Sequence, residues 1–119
     1  MDIKGILNDG TVIELEMQAL TDGYMTERSL YYWARMYGKL LNAGDEYKSL
    51  KPAVSVIILG VNRLKEEDYW HNEYQLLNIK SKKILTNDLR IVFLELPKLH
   101  SVHVDRNNKS FGERILVVS

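Results

Sequence analysis

MDIKGILNDGTVIELEMQ, residues 1–18, reads as two runs of alternating apolar and polar residues joined by Asn8-Asp9-Gly10. An Asn/Asp-Gly turn between alternating runs is the strongest short-range hairpin signal a sequence carries. A three-residue loop sets Leu7 opposite Thr11, and counting back pairs Ile6 with Val12, Lys4 with Glu14 and Asp2 with Glu16. Ile3 and Leu7 then share one face with Ile13, Leu15 and Met17, with Gly5 between them. Asp2, Lys4, Glu14, Glu16 and Gln18 share the other face. A two-residue loop at Asp9-Gly10 slips the partner strand by one and sets Asp2 beside Met17 on the apolar face. Because a one-residue slip inverts every side chain, the pattern selects the three-residue loop, with Gly10 as its left-handed residue.

The chemical consequence lies in the polar face. Asp2 and Glu16 become cross-strand neighbours, with Cβ atoms roughly 4.5–5.5 Å apart. Carboxylates that close repel each other unless one is protonated or a cation sits between them. Gln18 points the same way. Two carboxylates, an amide and the backbone carbonyl of Met17 form a hard, oxygen-rich site of the kind Mg²⁺ accepts while keeping several waters. The plainer alternative is a solvated polar face with Lys4 offsetting Glu14 and Glu16, since polar outer faces of antiparallel hairpins are ordinary.

Composition bounds the function classes. A chain of 119 residues suits one domain spanning 1–119, and 45% apolar with 27% charged residues is typical of a globular protein. Without cysteine there is no disulfide framework and no thiolate metal site, which fits a cytoplasmic protein. No apolar run approaches the length of a membrane span, and the N-terminus lacks a signal-peptide core. Formal net charge is zero, so no global field draws the protein to nucleic acid or membranes. Any nucleic-acid contact must come from a local patch such as Lys80, Lys82 and Lys83.

Beyond the hairpin, residues 19–23 form a polar connection, and a helix is expected from 24 or 26 to 43. Its apolar stripe is Leu30, Trp33, Tyr37 and Leu40/Leu41, with Thr26 or Asp22 as cap and Gly44 as the left-handed terminator. Arg28, Tyr32 and Arg35 lie along an adjacent face. A loop over 45–51, with Tyr47 and Leu50 tucked beneath it, leads to AVSVIILG (53–60). That continuously apolar, β-branched run reads as a central strand covered on both faces, reached by a crossover in a mixed sheet. Residues 70–79 alternate imperfectly and read as a strand. LRIVFLEL (89–96) reads as another, stopped by Pro97. His100 and His103 lack further ligands at metal spacing and read as surface or boundary residues. The polar run 105–110 precedes ERILVVS, whose pattern fits a strand or a helix. No phosphate loop, GxSxG, HExxH or zinc-finger spacing is present.

DIKG, IELEMQ, ERSLYYWARMYGKLLNAGDEY, LKPAVSVIILG and LTNDLRIVFLELPKL, taken in order, resemble a known family. They resemble the transposase-associated branch of the PD-(D/E)XK nucleases, the recombination-promoting nucleases and related transposases, from 2 to 99. The resemblance implies a restriction-endonuclease-like α/β fold, a mixed sheet flanked by a helix. It also implies an active site with an aspartate on one strand and Glu-x-Gln on the next, which binds Mg²⁺ (or Mn²⁺) to cut DNA phosphodiesters. On that likeness Asp2, Glu16 and Gln18 are catalytic, and Asp2, Glu16 and the Met17 carbonyl hold the metal. Arg28 and Tyr32 bind substrate, Arg28 having a helix-to-sheet ion pair as its structural alternative.

The family also implies a helical segment ahead of the aspartate and another after Leu99. Residues 100–119 depart from that pattern. The expectation is therefore a truncated relative that covers its hairpin edge with a second copy as a homodimer. Two further readings stand beside the nuclease: a catalytically silent interaction module acting by oligomerisation, and a plain DNA-binding domain, which zero net charge disfavours.

Overall fold

The computed structural model describes residues 2–18 and 23–101, with backbone alone for Asp2, Gln18, His100 and Ser101. The connection 19–22, its candidate cap Asp22, His103 and the terminal stretch 102–119 lie outside the described residues. Among the described residues, five strands form one mixed sheet: β1 (Asp2–Ile6), β2 (Val12–Gln18), β3 (Ala53–Leu59), β4 (His71–Tyr74) and β5 (Leu89–Glu95). Their order is β1-β2-β3-β5-β4. β2, β3 and β5 run parallel, and β1 and β4 close the edges antiparallel. One α-helix among the described residues, α1 (Met25–Gly38), supplies the crossover between β2 and β3. None of the described helices is long and apolar enough to cross a membrane.

The hairpin takes the three-residue loop. Asp2 pairs with Glu16, Lys4 with Glu14 and Ile6 with Val12, and the Leu7 N–H donates to the Thr11 carbonyl at 2.8 Å. Gly10 stands at φ +92°, a left-handed conformation that L side chains rarely adopt, so glycine is needed there. The Asp9 carboxylate accepts the Thr11 N–H at 2.9 Å, and bonds from the Thr11 backbone and then its side chain hold that carboxyl below the usual range. A further bond from the Val12 N–H to the Pro52 carbonyl, 2.9 Å, ties the turn to the start of β3.

β3 is the central strand its composition requires, with nearly every residue buried. Because its side chains alternate, it feeds two cores. Val54 and Val56 join Val92, Leu94 and Trp70 on one face, with Ile13 and Leu15 of β2 packed against them. Ile57 and Leu59 join Ile91 and Phe93 on the other, against Met25 and Trp33 of α1. Burying each such aliphatic side chain contributes about 1.5–3 kcal/mol.

The helix differs from expectation in length and face. It ends at Gly38, six residues before Gly44, because glycine is a poor helix former and the next N–H groups tighten onto earlier carbonyls. Lys39 donates to Arg35 and Met36 at 3.2 Å, and Leu40 donates to Tyr37 at 3.1 Å. Gly44, at φ +92°, serves instead a turn in which Asp45 accepts the Asn42 N–H. The N-cap is Tyr24, with no side-chain cap bond from Thr26. Leu30 is exposed, so the stripe facing the sheet runs through Met25, Ser29, Trp33 and Met36. Tyr47 is 83% exposed rather than tucked in, on a 3₁₀ turn Tyr47–Ser49. The strand expected over 70–79 is regular only over His71–Tyr74; an outlying Leu77–Ile84 bridge continues the hairpin beyond it.

Polar contacts fasten α1 at one end of the sheet. Trp33 Nε1 donates to the Ala53 carbonyl at 2.7 Å, and Tyr37, stacked on Trp33 at 4.9 Å, donates its hydroxyl to Asp88 Oδ2 at 2.7 Å. That bond to Asp88, then burial, then the carboxylate's charge push the Tyr37 phenol above its ordinary pKa. At the opposite end Glu95, with no solvent exposure, accepts the N–H groups of Arg63 (2.7 Å) and Leu64 (3.1 Å) through Oε2. Its Oε1 accepts Lys98 Nζ at 2.6 Å, and Lys98 also donates to the carbonyls of Leu64 and Glu67.

Two stability measurements follow from these contacts. Tyr37→Phe loses about 1 kcal/mol in urea unfolding. Since the folded pKa is raised, the tyrosine's contribution is complete below about pH 10 and fades as pH rises through the folded value. A gap between wild type and Tyr37→Phe that stays constant through that range rules out the latch. Glu95→Ala leaves Lys98 buried without its carboxylate and lowers stability by about 3–5 kcal/mol; a loss under 1 kcal/mol would mean the pair is dispensable.

Candidate active site

β2 is a strand with two different neighbours above and below it, and its alternation decides what each sees. Ile13 and Leu15 pack into the core containing Trp70. Glu14 and Glu16 point the other way, toward α1. In the β2–β3 register Glu14 lies beside Ser55 and Glu16 beside Ile57. Residues side by side in a sheet share a face, so the two glutamates stand on the helix-covered face with Ile57 and Leu59. They are half-buried rather than solvated. Both faces stay open along β1, where Ile3 on one face is 53% and Ile6 on the other 76% exposed.

A small cleft, with a water-accessible volume of about 10 Å³, lies between α1 and the sheet. Glu14 and Glu16 line it from β2, Ser55, Val56 and Ile57 from β3, and Ser29 and Tyr32 from α1. The cleft exists because the helix presents a small residue there. Ser29 is buried, and its hydroxyl turns back to the Thr26 carbonyl at 2.8 Å instead of reaching into the sheet. Tyr32 stands beside it, its ring meeting Tyr31 edge-on at 5.6 Å.

Along the strand the two glutamates are about 6.6 Å apart. On β1, Asp2 is the backbone partner of Glu16. Gln18 lies two residues beyond Glu16, in register with Leu59 and, one strand further, Glu95. Met17 pairs with Ile58 between them. Arg28 is half-buried in the first helical turn, one residue ahead of Ser29 and outside the cleft lining.

The donors in this half-buried cleft are hard oxygens: two glutamates with the hydroxyls of Ser29 and Ser55 nearby. That donor chemistry fits Mg²⁺ or Mn²⁺ better than a soft metal. Among the described side chains, no cluster of three or more His, Cys, Asp or Glu groups is close enough to hold an ion. The sequence profile of the PD-(D/E)XK nuclease family transposases matches residues 1–116. The chain belongs to that family. No curated protein and no solved structure matches it.

For a PD-(D/E)XK nuclease family transposase the architecture is consistent: a mixed five-stranded sheet with a flanking helix, restriction-endonuclease-like. Membership supports a nuclease or transposase role, implies DNA as substrate and carries the family's general use of divalent metals. Glu14 stands opposite Lys4, as the alternation predicts, and also lines the cleft; its position two residues from Glu16 was the available signal. Ser29 and Ser55 carried no such signal, because only tertiary packing brings them to the acids.

The cleft's origin is testable by size. Ser29→Ala keeps the space and costs under about 1 kcal/mol, because only a local bond is lost. Ser29→Leu forces a larger side chain between α1 and β2, costing about 1–3 kcal/mol in thermal or chemical unfolding. Equal stability of the two variants would show that the helix does not close over the acids at this point.

Proposed function

We propose that this chain is a metal-dependent DNA endonuclease domain of transposase type, hydrolysing phosphodiester bonds. The observation that carries the reading is the β1–β2 register, in which Asp2 is the partner of Glu16. Asp2, Glu16 and the Met17 carbonyl would hold Mg²⁺, with Mn²⁺ as substitute, and Glu14 adds a second carboxylate on the same strand face. The ion, when bound, supplies Lewis-acid polarisation of the phosphate and a more acidic bound water.

The chain's own residues do the rest. Gln18, through its amide, orients the attacking water; unlike a lysine it brings no positive charge and cannot serve as the base. Arg28, at the start of α1, meets a substrate phosphate, and Tyr32 bounds the cleft on the side where the backbone enters. Helix packing over the acids excludes bulk water and strengthens each charge interaction in the cleft. The reading puts the protein in the cytoplasm, with DNA as partner.

A second reading has one observation in its favour. Among the described residues β1 is an edge strand, and its own Ile3 and Ile6 are exposed. An edge of that kind pairs readily with another chain, so a silent module acting through homodimers would use it.

Plasmid nicking in Mg²⁺ by wild type and Glu16→Ala separates the two. Loss of a metal ligand removes several kcal/mol of transition-state stabilisation, so nicking falls on the order of a hundredfold or more. Equal nicking by both proteins would take Glu16 out of the mechanism, and no nicking by either, with dimers in light scattering, favours the silent module.

A further inference from the structure

Between β4 and β5 the chain leaves the sheet as a narrow hairpin, and the nuclease cleft makes no use of it. Leu77 bridges Ile84, the Asn78 N–H donates to the Lys83 carbonyl at 2.8 Å, and the Leu85 N–H donates to the Leu76 carbonyl at 3.0 Å. The tip is well built. Asn78 Oδ1 accepts the N–H groups of both Lys80 (2.9 Å) and Ser81 (3.0 Å), and the Asn78 carbonyl accepts that of Lys82 at 2.8 Å.

Three features of this tip go together. Lys80, Lys82 and Lys83 are all exposed, and no acidic residue occurs from 75 to 87. Ile79, directly before them, is 82% exposed, and Leu85, after them, is 78% exposed. Lys82 stands at φ +62°, the one described non-glycine residue in the left-handed region. Glycine or asparagine would adopt that conformation with less strain, so a lysine there trades backbone comfort for a charge at the apex.

We infer that this hairpin is a second DNA contact, its three lysines neutralising backbone phosphates and Ile79 lying against the sugar edge of a groove. Charge decides the class of partner: a concentrated positive tip on a chain of zero net charge matches a polyanion, and apolar side chains flanked by lysines suit a groove wall. The inference rests on the DNA reading above. The contact is separate from the cleft: two strand spacings and the length of the hairpin put the tip on the order of 30 Å from Glu16. That is about nine base pairs of duplex at 3.4 Å each, so cleft and tip can engage one DNA molecule on successive stretches.

The test is the salt dependence of binding, read by fluorescence anisotropy on a labelled 30-base-pair duplex in EDTA over 50–200 mM NaCl, where no cutting occurs. Each neutralised phosphate contributes about 0.9 to the slope of log K against log salt. K80Q/K82G/K83Q is expected to lower the slope by about 2–3 relative to wild type, and K80Q or K83Q alone by about 0.9. Replacing the strained lysine makes the triple variant melt at or above the wild-type temperature, which excludes misfolding as the cause. I79A is expected to weaken binding at an unchanged slope, and E16Q to keep the full slope while losing nicking. A triple variant with the wild-type slope, or a wild type without salt-dependent binding, overturns the inference; a changed sedimentation mass in the former case gives the hairpin to a protein partner. An E16Q that nicks normally removes the proposed active site and leaves the hairpin result standing.

Discussion

Parallel pairing of β2 with β3 is the constraint on which the rest of the structure depends. Two adjacent parallel strands cannot be joined by a tight turn, so the chain must cross over, and α1 is that crossover. The right-handed preference of such connections fixes which face the helix covers. Register then fixes which residues of β2 meet it. With Glu14 beside Ser55 and Glu16 beside Ile57, the acids fall under the same helix that packs Met25 and Trp33 onto Ile57 and Leu59. A slip of one residue would instead drive the two carboxylates into the core of Val54, Val56 and Trp70, where nothing polar could receive them.

The helix is not docked uniformly. Near the beginnings of β3 and β5 it is held by aromatic stacking and two directional bonds, from Trp33 to the Ala53 carbonyl and from Tyr37 to Asp88. Towards the strand ends it is held by Met25 in the apolar cluster. Ser29, between the two anchors, leaves room against β2 and β3. The N-terminal half of α1 thus stands over the acidic row, which is the favourable sign of the helix dipole for carboxylates. Beyond that row, Glu95 and Lys98 pin the loop through Arg63, Leu64 and Glu67 to the same end of the sheet.

The hairpin was legible because two independent signals agree in it: Asn8-Asp9-Gly10 fixes the turn, and period-two alternation excludes the neighbouring register. β3 was legible because a strand buried on both faces has no alternation to hide. What covers a face was not legible. Alternation tells which residues share a side, and the same Glu14 and Glu16 suit open water or a cleft beneath a helix equally well. Gly44 misled for a similar reason: a left-handed glycine marks a chain reversal without saying whose, and here the reversal belongs to the 42–45 turn. The Glu95–Lys98 pair escaped notice because an acid closing an apolar strand looks like a solvated end until the loop carrying Arg63 and Leu64 wraps over it.

On the proposed reading, the active site is divided between the firmest and the least supported parts of the sheet. Glu14 and Glu16 ride on β2, which is paired on both sides and backed by the almost fully buried β3. Asp2 rides on β1, which among the described residues is paired on one side only and whose own Ile3 and Ile6 are exposed. A cation shared by Asp2 and Glu16 can be held only while β1 is docked, so ion binding and strand docking stabilise one another. The same linkage extends to any chain that pairs with the outer edge of β1, because it too favours the docked strand. Assembly on that edge and metal affinity in the cleft are then coupled through one short ladder, and neither needs to contact the other for the coupling to operate.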